Sequence, residues 1–185
     1  MRYIVLPFVL MIAPASANKG STLSASAMLS QTAGRWQGEL QYRDYKANTW
    51  QGLPMSVNVV AQPDDVTTVR TASFDDGPQT GIVTITTVTL VDPASSTLEY
   101  AIFRRSRKAD VGSSRIVNVV QGADDSHWTI VTVETRKDGD ELAEVRETMT
   151  RDGDVLTTLK EVNPANDNKE VWLPRNRSVL RRTGS

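Results

Sequence analysis

Residues 127–162 read HWTIVTVETRKDGDELAEVRETMTRDGDVLTTLKEV, three β-rich runs separated by Asp138-Gly139 and Asp152-Gly153. Val131 and Val133 alternate with Thr132 and Glu134. In the next run Val145, Glu147 and Met149 share one face, and Arg146, Thr148 and Thr150 share the other. A period of two is that of a β-strand with unlike faces. Asp-Gly supplies the positive φ that a tight hairpin needs, so the three runs pair antiparallel with their neighbours in sequence.

The same texture extends back to Gly34 and forward to the end of the chain. Candidate strands fall at residues 35–45, 53–62, 66–74, 81–91, 97–105, 114–121, 127–136, 141–150, 155–162 and 169–182, with Asp76-Gly77-Pro78, Asp92-Pro93 and the loop at 163–168 as further turns. No helix-length periodic segment lies between them, which argues against parallel βαβ units. Short strands at this spacing fit a sandwich or a barrel. Gly81 to Val91 (GIVTITTVTLV) is rich in Thr and β-branched residues on both faces. A barrel with a partly polar interior gives this blurring, and so does a large sheet with one wetted face. The reading adopted is all-β: an antiparallel up-and-down barrel of about eight to ten strands, closed by pairing the first with the last.

Composition removes several classes of function. The 185 residues carry 21 Lys+Arg against 22 Asp+Glu, one His and no Cys. A formal charge of -1 gives no basic excess for tracking phosphates, so no nucleic-acid partner is expected. Without Cys there are no disulfides, thiolate metal sites or Cys nucleophiles, and a single His127 cannot supply two imidazoles to a metal. No metal or other cofactor is expected. The clusters Asp75-Asp76, Asp124-Asp125, Asp138 to Glu141 and Asp152 to Asp154 sit where hairpin turns are expected and lack EF-hand spacing. Glu134, Glu144 and Glu147 offer carboxylates for acid–base work, which cross-strand pairing with Arg136 or Arg146 explains as well.

The N-terminus reads as an export signal. Arg2 is the positive region, Tyr3 to Ala13 the apolar region, and Ala15-Ser16-Ala17 an A-x-A cleavage site. The apolar run is about 11 residues, against the roughly 20 that a bilayer-spanning helix needs. The expected organisation is therefore a signal peptide at 1–17, a flexible leader at 18–33 with one weak helical stretch around Leu23 to Leu29, and a barrel domain at 34–185. The expected location is periplasmic or secreted, without a membrane span.

Gly34-Arg35-Trp36, continued as Gln37-Gly38-Glu39-Leu40-Gln41-Tyr42, resembles the G-x-W entry of the calycin superfamily, the lipocalins and their bacterial lipocalin-like relatives. The run from Arg146 to Val162 resembles the penultimate hairpin of such barrels, as does the closing Trp172 to Arg182, while the mid-chain Thr-Asp-Tyr triplet of many lipocalins is missing. The resemblance implies that Trp36 packs under a basic residue near the end of the chain, Arg181 or Arg182, plugging one end. The other end would then admit a ligand.

Leu98, Tyr100, Ile102 and Arg104 share one strand face, an apolar series ending in a cation, as an amphiphilic anion would require. Arg70, Tyr100, Arg104, Trp128 and Arg146 are the candidate ligand-binding residues. The function expected is that of an exported binder or carrier of a small hydrophobic or amphiphilic molecule. The alternative is an envelope interaction module using the barrel as a solid scaffold with a protein partner; an enzyme is the least supported class, since no catalytic motif is present. A cavity of a few hundred cubic ångströms with convergent polar groups would favour the binder, and exposed apolar patches at loops the scaffold.

Overall fold

A computed structural model describes residues 23–138, 140–165 and 170–184. The expected signal peptide at 1–17 and the first part of the expected leader lie outside the described residues.

The chain forms one short helix, α1 (Ala25–Ser30), and ten strands: β1 (Gly34–Asp44), β2 (Thr49–Ala61), β3 (Thr67–Asp75), β4 (Ile82–Asp92), β5 (Thr97–Arg104), β6 (Asp110–Gln121), β7 (His127–Asp138), β8 (Glu141–Asp152), β9 (Val155–Pro164) and β10 (Leu173–Gly184). Each strand pairs with its neighbours in sequence, and β1 also pairs antiparallel with β10 from Arg35↔Gly184 to Tyr42↔Asn176, so the sheet closes into an up-and-down barrel. Closure gives every strand two hydrogen-bonded neighbours and leaves no open edge. The turns follow the sequence chemistry. In the β8–β9 hairpin Gly153 has φ +59, a conformation in which a side chain would be strained.

The apolar core lies at the end of the barrel where β1 begins and β10 ends. Trp36, Leu180, Leu156, Trp128 and Ile130 are buried there together with Met28 and Leu29 of α1. Within the expected leader, residues 25–30 form the short helix α1. Ser24 caps the helix by accepting from the Ala27 amide at 3.1 Å, and Met28 is fully buried. Helices this short are not stable alone, and apolar burial of one face is what holds this one. The barrel rim fixes both ends of the segment. The Leu23 amide donates to Gln121 Oε1 (2.8 Å), and after the last turn Gln31 and Ala33 offer their carbonyls to arginines of β8 and β10.

The same plug holds the closing Trp. The Trp36 Nε1–H donates to the Thr32 carbonyl (2.8 Å), and the Arg182 guanidinium lies 4.5 Å from the indole centroid. Arg182 also donates from Nη1 to the Ala33 carbonyl and from Nη2 to the Gln31 carbonyl, each at 2.8 Å. Arg151 adds a donor to Gln31 at 3.1 Å. Two cations thus meet carbonyls that the helix end leaves without intrahelical partners. Arg181, the other sequence candidate, is exposed and does not reach Trp36, because adjacent residues of a strand point to opposite faces.

Candidate functional site: the barrel cavity

Above the plug the barrel encloses a cavity of about 470 Å³ that opens at the end away from α1. Its floor is apolar, with Leu29, Leu98, Leu156 and Leu180 among the wall residues. At its mouth stand Tyr42 and Arg104, both exposed. The size falls within the usual range for small-molecule sites, roughly 300 to 1,000 Å³.

Six charged side chains line this space: Arg70, Arg104, Arg136 and Lys160 against Glu134 and Glu147. Four cations against two carboxylates leave a cationic excess within the cavity, although the whole chain carries -1. Glu134 is engaged twice. It accepts from the Tyr100 hydroxyl at 2.7 Å and pairs with Arg136 Nε at 3.1 Å. Tyr100 reaches it by lying across β6 at Gly112, where an added Cβ would meet the Tyr100 hydroxyl at 2.5 Å. Burial, followed by the bond to Glu134, pushes the Tyr100 phenol up to about 12. It is therefore a neutral donor at physiological pH.

The other three deep charges are differently placed. Among the described residues Arg70, Glu147 and Lys160 make no contact ion pair and no side-chain hydrogen bond. Glu147 and Lys160 are directly opposite one another on β8 and β9, yet form no ion pair. Arg70 and Lys160 are half-buried and Glu147 is exposed, and all three line the cavity. Burial pushes the Glu147 carboxyl up and the Lys160 ammonium and Arg70 guanidinium down from their ordinary values, while Lys160, Arg136 and Arg70 hold Glu147 toward its ionised form.

Three of the five ligand-binding candidates line the cavity: Arg70, Tyr100 and Arg104. Trp128 and Arg146 do not line it. Trp128 is buried in the core beside Ile130, two residues into β7 and paired with Gln121 and Arg151 at the plugged end. Arg146 points outward, since Val145 and Glu147 on either side line the cavity. It pairs with Glu161 (2.8 Å) and lies 4.1 Å from the Trp172 centroid. Glu134, Arg136 and Glu147 entered the sequence reading as carboxylate and pairing residues only; Lys160 was not singled out. The signal that finds Lys160 is strand parity: Leu156 and Val162 are buried, and Lys160 falls on their face.

His127 is far from this chemistry. It begins β7 at the plugged end, where its Nδ1 meets Asp124 Oδ1 at 2.7 Å and its Nε2 meets Asp152 at 3.1 Å. Asp124 also accepts from the Ser126 amide and hydroxyl, each at 2.7 Å. The acidic residues here build a turn, as their position in the sequence implies.

No family model matches the chain, and no curated protein matches it either. Among solved structures it is similar to the crystal structure of Rv2717c from M. tuberculosis, with a TM-score of 0.57 and 16% sequence identity over 88% of this chain and 99% of that one. At that identity the likeness establishes the barrel fold and nothing finer.

Proposed function

We propose that the chain is a binder or carrier of a small amphiphilic molecule with an acidic group, held inside the barrel. The single observation that supports this most is the pair of unpaired cations, Arg70 and Lys160, lining a cavity of about 470 Å³ whose floor is apolar. A ligand anion would give them partners, and a charge-assisted hydrogen bond is worth about 1.5 to 3 kcal/mol. The apolar lining rewards the rest of the molecule at roughly 25 cal/mol per Å² removed from water. The Trp36–Arg182 stack and the closed barrel accord with a calycin-like scaffold, and the N-terminal sequence with export to the periplasm or medium.

Titration with anilinonaphthalenesulfonate, an anionic apolar fluorophore, tests the reading. Saturable binding at one site is expected, with Arg70→Met and Lys160→Met each weakening it about tenfold or more. Both variants remove a half-buried cation that makes no contact ion pair, so neither should lower thermal stability by much. Arg104→Ala, at the exposed mouth, should weaken binding less. Binding that never saturates, or that both interior substitutions leave unchanged, sinks the proposal.

A further inference from the structure

The run Phe103-Arg104-Arg105-Ser106-Arg107-Lys108-Ala109-Asp110-Val111 is the end of β5, the connection at 105–109 and the start of β6, a hairpin at the mouth of the barrel. Arg104, Arg105, Arg107 and Lys108 are all exposed, and among the described residues none of them makes an ion pair or a side-chain hydrogen bond. The acid of the run, Asp110, lies 4.0 Å from Arg136 instead. Phe103 and Val111 flank the connection and point away from the cavity, since Ile102 and Arg104 line it and Gly112 lies under the Tyr100 hydroxyl inside the barrel. No ligand within the barrel can cover them. Val111, 73% exposed, is the most exposed large apolar side chain among the described residues, and Phe103 is 47% exposed.

The plugged end has the opposite charge. Its connections at 62–66, 93–96, 122–126 and 153–154 carry Asp64, Asp65, Asp124, Asp125 and Asp154 and no lysine or arginine. Exposed apolar residues occur near these turns too, Val60 and Val120 among them, but without a cation in the turn. From this asymmetry we infer that the β5–β6 hairpin is a docking surface for an anionic phospholipid bilayer, on which the barrel stands mouth down. Clustered cations are drawn to the phosphates of such a surface, and each nearby Lys or Arg strengthens binding about fivefold. Phe103 and Val111 enter the boundary between headgroups and acyl chains, where apolar side chains leave water. A free anion would neutralise the turn and leave both apolar side chains wet. Of the neighbouring mouth-side connections, the one between β1 and β2 adds Lys46, whereas the one between β3 and β4 carries Asp76 and no cation, so contact is centred on β5–β6. The acidic turns at the plugged end are repelled by the same bilayer, which selects one orientation. Because this surface lies outside the cavity, the inference stands independently of any ligand held within.

Sedimentation of the exported chain with lipid vesicles tests this. Vesicles of phosphatidylcholine containing about one third phosphatidylglycerol should bind it, vesicles of phosphatidylcholine alone should not, and added salt should weaken the binding. The triple variant Arg105→Gln, Arg107→Gln, Lys108→Gln should lose about tenfold or more in affinity, and the double variant Phe103→Thr, Val111→Thr about threefold or more. All five positions are exposed, so neither variant disturbs the core. The chain has no Cys, so a single introduced thiol can carry an environment-sensitive fluorophore that reads orientation. Nitrobenzoxadiazole on Ser106→Cys should shift to shorter wavelength on the anionic vesicles, and on Ala123→Cys, in a plugged-end turn, it should not. Equal binding to both kinds of vesicle, a triple variant that binds like the parent, or a shift at position 123 without one at 106 overturns the inference. Binding of polyglutamate without binding of either vesicle assigns the hairpin to an acidic protein and overturns it as well.

Discussion

Trp36 shows how much one side chain can hold at the plugged end. Its ring is fully buried, its Nε1–H is satisfied by the Thr32 carbonyl, and its face carries the Arg182 guanidinium. Trp36→Ala should therefore cost about 3 to 5 kcal/mol in urea unfolding, from the cavity it leaves. Arg182→Met should cost about 1.5 to 3 kcal/mol, because two backbone carbonyls lose a charged donor. Equal stability of Arg182→Met and the parent protein would mean that the stack and the two bonds are incidental. Since Trp36 and Arg182 lie below the cavity floor and are not among its wall residues, neither substitution should change ligand affinity in the folded fraction. His127 gives a second residue-scale test. Its bond to Asp124 and the nearby Asp152 raise its pKa above the ordinary 6.5, while bonds from Ser126 and then His127 lower Asp124 to about 2. The raised His contributes stability in full below its unfolded value and loses it as pH rises through the folded one. The lowered Asp contributes above its unfolded value and loses it as pH falls toward about 2. Proton NMR of the single imidazole should place its midpoint above 6.5, and Asp124→Asn should bring that midpoint down. A midpoint unmoved by the substitution would rule out the pairing. Parity explains which residues could be read without coordinates. Leu98 to Arg104 on one face of β5 was legible, whereas Arg146 was assigned to the wrong face although Val145 and Met149 already marked the other. Trp128 has the inward parity but the wrong depth, and periodicity carries no information on depth along the barrel axis.

At the scale of the element, α1 was legible only as a weak helical stretch around Leu23 to Leu29. Six residues, ASAMLS, are too few to show a helical period, and their small polar neighbours resemble a linker. The decisive force is tertiary: Met28 and Leu29 fill the end of a barrel whose strands are far away in sequence. The Ser24 cap is the local trace of this, recognisable only once the helix is known. Met28→Ala should cost about 2 to 5 kcal/mol and Ser24→Ala about 0.5 to 2 kcal/mol, both measured by thermal or urea unfolding. If Met28→Ala were neutral, α1 would be an ornament on an already closed core. The strands were legible because each reports its own boundaries, through alternation inside and Asp-Gly or Asp-Pro at the ends. The predicted bounds of β5 and β9 agree with the observed ones within about two residues. Larger differences at the starts of β2 and β6 fall where pairing continues past the last patterned residue: β2 pairs with β1 from Thr49, four residues before Leu53, whereas β10 begins at Leu173, later than predicted.

At the scale of the whole molecule, closure was expected from strand number and from the blurred sorting of polar and apolar residues, and the barrel is closed. That Lys160 shares a cavity with Arg70 and Tyr100 was not legible, because it depends on which strands face one another across the barrel. Nine of the ten seams join strands adjacent in sequence, and the tenth joins β1 to β10. That difference in chain separation becomes a difference in time. Local hairpins can form early, whereas the tenth seam must wait for a loop spanning almost the whole domain to close, at an entropic cost that grows with its length. Leu180→Ala, at that seam, should then accelerate unfolding and leave the folding rate nearly untouched, a φ-value near zero. Val145→Ala, within the continuous β7–β8–β9 meander, should slow folding instead. A φ-value above about 0.5 at Leu180 in stopped-flow refolding would contradict this order of events. Until the last seam zips, β1 and β10 each present a bare row of amides and carbonyls, so the nascent barrel is open to pairing with another copy for as long as closure takes.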